Sequence, residues 1–205
     1  MEISFINSEQ ITEDNVEEAL SGQDGIVICP GFGSRGIEGK IVAVKYTRTH
    51  NIPTFGVCLG MQMMVIEFAR NVLGLTDANS AEMNPDTPDN VIDLMESQKT
   101  ISRKGGTMRL GGYACELSEG SRVREIYGKD CVRERHRHRY EFNNAYLDRF
   151  QQAGMRCSGR NPENNLVEIV EIPSLKWFIG TQFHPEYSST VLSPHPLFVD
   201  FVKSV

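Results

Sequence analysis

The chain has no apolar run approaching the roughly 20 residues of a membrane span. Its first residues, Met1-Glu-Ile-Ser-Phe-Ile-Asn7, carry neither a basic start nor a long apolar core. Neither a secretory signal nor a membrane partner is therefore expected. Cysteine is scarce and poorly placed for pairing. Cys29, Cys58, Cys115, Cys131 and Cys157 are odd in number, irregular in spacing and free of any C-x-x-C pair. That pattern fits neither a disulfide framework nor a zinc ribbon. Reduced thiols in a cytoplasmic protein are the simplest account. Basic charge is in deficit, with 21 Lys and Arg against 27 Asp and Glu and a net charge of −6. A general nucleic-acid binder, which needs a broad basic face, is excluded on that ground. Internal repeats and low-complexity linkers are also missing, so residues 1–205 read as a single domain. What remains is 40% apolar and 23% charged, which suits one α/β domain with a real core rather than a disordered chain.

One segment carries more chemistry than the rest. Asn51-Ile-Pro-Thr-Phe-Gly-Val-Cys58-Leu-Gly-Met-Gln62 reads as a short buried strand running into a cysteine and straight on into a helix. Gly56, Cys58 and Gly60 form G-x-C-x-G, the thiol counterpart of the strand–nucleophile–helix elbow of serine hydrolases. The glycines relieve the crowding of so tight a turn. A helix start offers free N–H groups and a partial positive charge, so the Cys58 thiol is expected to fall below the ordinary value of about 8.5. The same N–H groups could receive an oxyanion. A buried, inert structural thiol is the bland alternative.

A second segment supplies partners for that thiol. Thr181-Gln-Phe-His184-Pro-Glu186 offers a base and a carboxylate, and Cys58, His184 and Glu186 together have the parts of a nucleophile, a base and an orienting acid. In extended structure His184 and Glu186 would point the same way. Pro30-Gly-Phe-Gly-Ser-Arg-Gly-Ile-Glu-Gly39 is glycine-rich but lacks the Lys-Ser/Thr of a phosphate loop. It reads better as an oxyanion-binding loop with a backbone N–H near Gly31. In Arg133-Glu-Arg-His-Arg-His-Arg139 a strand would place all four arginines on one face, most simply a solvated edge. A zinc site at His136 and His138 lacks a nearby cysteine pair.

The remaining pattern gives the fold class. Residues 1–7, Gly25–Cys29 and Ile52–Val57 read as strands. Thr12–Leu20, Ile41–His50 and Met61–Leu73 read as helices, and 76–90 as a loop. The stretch 105–135 reads as antiparallel strands, Asn144–Ala153 as helical, Leu166–Ile172 and Trp177–Phe183 as a strand pair, and Pro196–Val205 as a last short helix. The expected fold is α/β, three-layered, with a mostly parallel central sheet, helices on both faces and a small antiparallel portion. Ligands in such sheets bind beyond the C-terminal strand ends, which makes the loops after Cys29 and at Cys58 neighbours.

The motifs G-V-C-L-G-M-Q and F-H-P-E resemble those of class I glutamine amidotransferases, a family of flavodoxin-like fold. G-F-G-S-R-G-I-E-G-K, G-G-T-M-R-L-G, R-H-R-H-R-Y-E-F-N and H-P-L-F-V-D-F-V extend the resemblance over nearly the whole chain, in the version of the CTP synthase glutaminase domains. The resemblance implies hydrolysis of L-glutamine through a thioester on Cys58, with His184 and Glu186 completing the catalytic triad. It implies an oxyanion held by Gly31 and Leu59, and a glutamine pocket that also includes Phe32, Gly60, Met61, Gln62, Glu82 and Arg139. It implies no metal or cofactor in this domain. ATP, Mg2+ and UTP belong to a synthetase domain, GTP acts as activator, and the whole enzyme is a homotetramer. The synthetase part and the first strand and helix of the family's glutaminase domain are expected to be absent from these 205 residues. Three alternatives stand beside this reading: the glutaminase of another amidotransferase, a cysteine peptidase or γ-glutamyl hydrolase on a similar fold, and a poorly active binding or regulatory fragment.

Overall fold

The computed structural model describes residues 2–94 and 108–205. In chain order its strands are β1 (Ile26–Ile28), β2 (Thr54–Val57), β3 (Asn79–Ser80), β4 (Asn90–Leu94), β5 (Arg109–Leu117), β6 (Cys131–His138), β7 (Tyr140–Phe142), β8 (Arg156–Arg160), β9 (Val167–Glu171) and β10 (Phe178–Thr181). The α-helices are α1 (Val16–Ala19), α2 (Ile37–Thr49), α3 (Leu59–Asn71), α4 (Arg122–Tyr127), α5 (Leu147–Gln152) and α6 (Pro196–Ser204).

The main sheet has the order β1-β2-β10-β9-β8-β5-β6. The β1–β2 and β2–β10 ladders are parallel and the others antiparallel. Followed across the sheet, β1, β2, β10, β8 and β6 point one way, and β9 and β5 oppose them. The second, smaller sheet is β3-β4-β7, with β4 and β7 antiparallel. Every residue of β2 and β10 is buried, as expected for apolar strands covered on both faces. On one side lie α2, α3 and the small sheet, with Val65, Ile66, Ile92 and Phe150 in their core. On the other, α4 and α6 cover Phe55, Val123, Trp177, Ile179 and Phe201. Phe55, Trp177 and Phe201 meet edge-on or tilted, and the Trp177 indole N–H donates to Asp200 at 2.8 Å. Burying each such ring stabilises by about 1.5–3 kcal/mol.

Helix α3 is buried from Leu59 to Ala69, because it lies between the main sheet and α2. That burial includes a carboxylate, Glu67. Arg48 of α2 answers it with two bonds, Nε to Oε2 at 2.8 Å and Nη2 to Oε1 at 2.7 Å. A forked guanidinium is the partner that can satisfy a buried carboxylate on both oxygens.

Six local expectations change. The helix read over Thr12–Leu20 is only Val16–Ala19, and the loop read over 76–90 carries β3 at Asn79–Ser80. Residues 2–7 form no strand; Phe5 is 96% exposed and finds no apolar partner. Strand β1 is an edge with Val27 exposed, not a buried strand. Helix α2 begins at Ile37 rather than Ile41, immediately after Gly36 takes the left-handed φ of 69°. The stretch 105–135, described from Met108 onward, contains a helix between its strands. There the Ser121 hydroxyl accepts from the Arg124 N–H, and left-handed Gly128 closes α4.

Candidate active site

Cys58 sits between β2 and α3 with φ 52° and ψ −104°. A non-glycine residue at positive φ stores backbone strain, which a surrounding structure must hold in place. The holding contacts are specific. The Cys58 N–H donates to the Thr181 carbonyl at 2.7 Å, tying the elbow to the end of β10. A Cβ at Gly60 would lie 2.0 Å from the Ile28 carbonyl oxygen, and one at Gly56 would lie 2.3 Å from Met64 Sδ. The two flanking glycines are therefore required by close approach of strand and helix.

The expected low thiol value is not found. Burial pushes Cys58 up to about 12; the Leu59 N–H works against that rise, and the carboxylates of Glu186 and Glu141 add to it. The resting group is a thiol, because the loss of water outweighs the helix-start N–H groups. A side chain outside the expected set faces it: Gln182 Nε2 donates to Cys58 Sγ at 3.7 Å. Gln182 is itself oriented by Gln62, whose Nε2 donates to Gln182 Oε1 at 3.2 Å and to the Tyr140 carbonyl at 3.1 Å.

His184 Nδ1 and Glu186 Oε1 are 2.6 Å apart. The extended structure expected from sequence does not join them; Pro185–Ser188 is a turn of 3-10 helix, and it brings the carboxylate to the ring's Nδ1. The His184 N–H of the backbone donates to Arg135 O at 2.8 Å, and Tyr187 stacks on the imidazole at 4.7 Å. The ring's Nε2 is buried and has no hydrogen-bond partner, so one nitrogen is fixed and the other is available for a proton.

A cavity opens beside the thiol, lined by Gly31, Phe32, Cys58, Leu59, Gln62, Glu82, Met108, His138, Arg139 and Tyr140. Seven of these belong to the expected set. The expected residues Gly60 and Met61 instead pack under the elbow, Gly60 against Ile28 and Met61 against Gly180. Glu82 brings a carboxylate and Arg139 a guanidinium. Burial raises Glu82 above the usual carboxylate range, while the Gly33 N–H and Arg139 pull it back. Lys40 fixes the glycine-rich loop by donating to the Cys29 carbonyl at 2.8 Å.

The arginine stripe splits. Arg133, Arg135 and Arg137 are exposed on β6, while Glu134, His136 and His138 point inward. Arg139 leaves their face: it lies past the end of β6, half-buried in the cavity wall. The break between β6 and β7 turns it inward, which a continuous strand would not do. Met108 and Tyr140, missed as single residues, fall inside the blocks G-G-T-M-R-L-G and R-H-R-Y-E. Gln182 had a signal too, next to Thr181 in T-Q-F-H-P-E.

This geometry can be set against known proteins. The class I glutamine amidotransferase family matches residues 2–204. The chain belongs to that family. Within it the similarity is to CTP synthase. The CTP synthase of Bacteroides fragilis is 67% identical over 204 residues, and that of Cytophaga hutchinsonii is 60% identical over 204; each match covers all of this chain and 38% of the relative. The chain thus spans well under half the length of these relatives. The solved Trypanosoma brucei CTPS glutaminase domain with bound acivicin superposes with a TM-score of 0.93 at 40% identity, covering 99% of this chain and 80% of that one. This amidotransferase domain is therefore of the CTP synthase glutaminase type. No helix among the described residues is long and apolar enough to cross a membrane.

Proposed function

We propose that Cys58 is the nucleophile of glutamine hydrolysis and that the cavity beside it holds the substrate's amino-acid end. The observation that carries this reading is the pairing of Glu82 and Arg139 in the wall of the cavity that Cys58 also lines. A zwitterion needs one acid for its ammonium and one base for its carboxylate, at fixed positions. Glutamine so held would present its side-chain carboxamide to the sulfur.

In the proposed reaction His184 takes the thiol proton through Nε2 as the sulfur attacks the amide carbon. Glu186, bonded to Nδ1, holds the ring in register and stabilises the imidazolium. Charge on the former carbonyl oxygen is received by the N–H groups of Leu59 and the Gly31 loop. Gln182 donates to the sulfur while it carries charge. The tetrahedral adduct collapses with proton delivery from His184, ammonia leaves, and a γ-glutamyl thioester remains. Water, deprotonated by His184, then hydrolyses the thioester and releases glutamate. The high resting value of Cys58 makes the proton transfer to His184 part of each turnover.

Acivicin is bound in the trypanosomal domain, and on this reading it occupies the Glu82–Arg139 cavity here. In the full-length protein the ammonia serves amination of UTP to CTP on a synthetase domain using ATP and Mg2+, with GTP as activator, in a cytoplasmic homotetramer. The chain spans 38% of the length of the Bacteroides and Cytophaga relatives, and these properties are proposed for the whole protein. The test is ammonia release from glutamine, with blockade by acivicin: Cys58→Ala abolishes turnover and thioester formation, and continued turnover would rule out the assignment.

A further inference from the structure

The oxyanion side of the proposed site hangs on a loop with few holds of its own. Strand β1 ends at Ile28, and Cys29-Pro30-Gly31-Phe32-Gly33 then leaves the sheet. Among the described residues, no hydrogen bond from main chain to main chain involves these five. Pro30 has no N–H to give, and Gly33 turns away with a left-handed φ of 73°. Side chains supply the holds instead. Lys40 donates from Nζ to the Cys29 carbonyl at 2.8 Å, and the Gly33 N–H meets Glu82.

Lys40 is an unusual residue for its place. It lies in the first turn of α2, where the helix dipole disfavours a cation. Its spacing from Ile37, Ile41 and Val44, all buried, puts it on the helix face that packs inward. Long charged residues are seldom placed there without a partner. The ion pairs of α2 are made by Glu38, Lys45 and Arg48, and among the described residues no carboxylate pairs with Lys40. A half-buried ammonium that meets only a carbonyl costs more than an apolar side chain would, if packing were its purpose.

The ammonium lies against the proposed oxyanion donors. A Cβ on Gly31 would stand 3.8 Å from Lys40 Nζ and 3.2 Å from Leu59 Cδ2. Gly31 is therefore held between the Lys40 ammonium and the first residue of α3, and the N–H groups of Gly31 and Leu59 are the two donors of the proposed reaction. Burial lowers Lys40, while Cys29 and Cys58 pull it back up. Such an attraction is mutual, so the cation in turn favours charge on the sulfur.

We propose that Lys40 is a positioning residue for the attack on the amide: its ammonium clamps the Cys29 carbonyl so that the Gly31 N–H meets the substrate oxygen, and its unmatched charge offsets the negative charge that gathers on that oxygen and on the Cys58 sulfur. The other charged groups around the sulfur leave room for this role. Glu186 and Glu141 both disfavour a thiolate, Glu82 and Arg139 stand in the cavity wall, and His184 is the proton acceptor of the proposed reaction. Lys40 answers the two carboxylates from the α2 side.

The inference rests on Cys58 as nucleophile, and its test separates the two. Two rates are followed at pH 8 in the wild type, Lys40→Met and Lys40→Arg. One is steady-state glutamine hydrolysis. The other is alkylation of Cys58 by iodoacetamide, read from the mass of the peptide that carries it. Methionine keeps the apolar stem and removes donor and charge. In K40M kcat is expected to fall by roughly 10–100-fold, the loss of a charged contact fixed before reaction. KM for glutamine holds, because Lys40 is not in the cavity lining. Alkylation slows by roughly three- to tenfold, since the thiolate is the reacting form and one unit of upward shift removes about nine-tenths of it. K40R, which keeps donor and charge, recovers most of both rates. Lys40→Gln, a polar replacement without charge, stands in if K40M does not fold, and its alkylation slows as in K40M. Wild-type kcat in folded K40M, a loss confined to KM, or alkylation at the wild-type rate in the uncharged variants would overturn the proposal. Alkylation that depends on Lys40 in a chain that still hydrolyses glutamine as Cys58→Ala contradicts the nucleophile assignment alone.

Discussion

The Gln182 side-chain nitrogen stands 3.7 Å from the Cys58 sulfur, and nothing else on that amide is left to orient by chance. Gln62 holds its oxygen and Glu168 its backbone. A donor fixed before the reaction helps most when the sulfur carries charge. Gln182→Ala is expected to lower kcat/KM for glutamine by roughly 10–100-fold, the value of a hydrogen bond to a charged group at about 1.5–3 kcal/mol. The loss should lie in kcat. Steady-state rates of ammonia release check it, and unchanged rates would remove Gln182 from the chemistry.

Glu82 and Arg139 bind rather than react in this account. Glu82→Ala or Arg139→Ala should raise the glutamine KM by roughly 10–100-fold, with kcat largely kept, because each change removes one charged contact present before and during reaction. Initial rates over a range of glutamine concentrations distinguish this from a catalytic role. An unaltered KM in either variant would take that residue out of the pocket.

Sequence pattern was most legible where one short segment carries both strand and helix signals. The Cys58 elbow, the β9–β10 pair and α6 follow from apolar runs, glycines and a proline at a helix start. Three features needed three dimensions. Residues 2–7 alternate like a strand, but alternation supplies no partner ladder, and the segment stays unpaired among the described residues. The thiol's upward shift depends on burial beneath α3 and β10, which outweighs the helix-start effect that sequence exposes. The inward turn of Arg139 depends on the break between β6 and β7, whereas sequence alone continues the strand through it.

Gly60 tests the elbow's packing. An alanine there puts its Cβ 2.0 Å from the Ile28 carbonyl oxygen, so β1 and α3 must separate. Gly60→Ala should cost about 1–3 kcal/mol, lowering Tm by roughly 2–12 °C at about 2–4 °C per kcal/mol for a domain of this size. Thermal melts measure this directly. A melting point equal to the wild type would show that the approach is not tight.

A buried cluster of Arg109, His136, His138, Glu141 and Glu168, each at most 4% exposed, predicts how stability varies with pH. Burial raises Glu168 from 4.5 to about 7, so its stabilising contribution is full below 4.5 and drains away as pH rises through 7. Burial lowers His136, and lowers His138 from 6.5 to about 3, so theirs is full above 6.5 and drains as pH falls. Burial also raises Glu141 well above 4.5, so two carboxyls offset two histidines between 4.5 and 6.5, and the cluster's contribution falls as pH rises above 6.5. Melting temperatures across pH 4–9 should show Glu168→Gln gaining on the wild type between about pH 4.5 and 7, the window in which Glu168 titrates, and holding a fixed offset outside it. Parallel curves for variant and wild type would contradict the assigned shifts.

The central claim is that Cys58 attacks glutamine and carries the γ-glutamyl group. Rapid quenching of the chain with labelled glutamine, followed by mass measurement of the peptide containing Cys58, tests it most directly. The account predicts a γ-glutamyl adduct on Cys58 in the wild type, with ammonia released first, and neither adduct nor ammonia in Cys58→Ala. Undiminished ammonia release by Cys58→Ala, or an adduct on another residue, would contradict it.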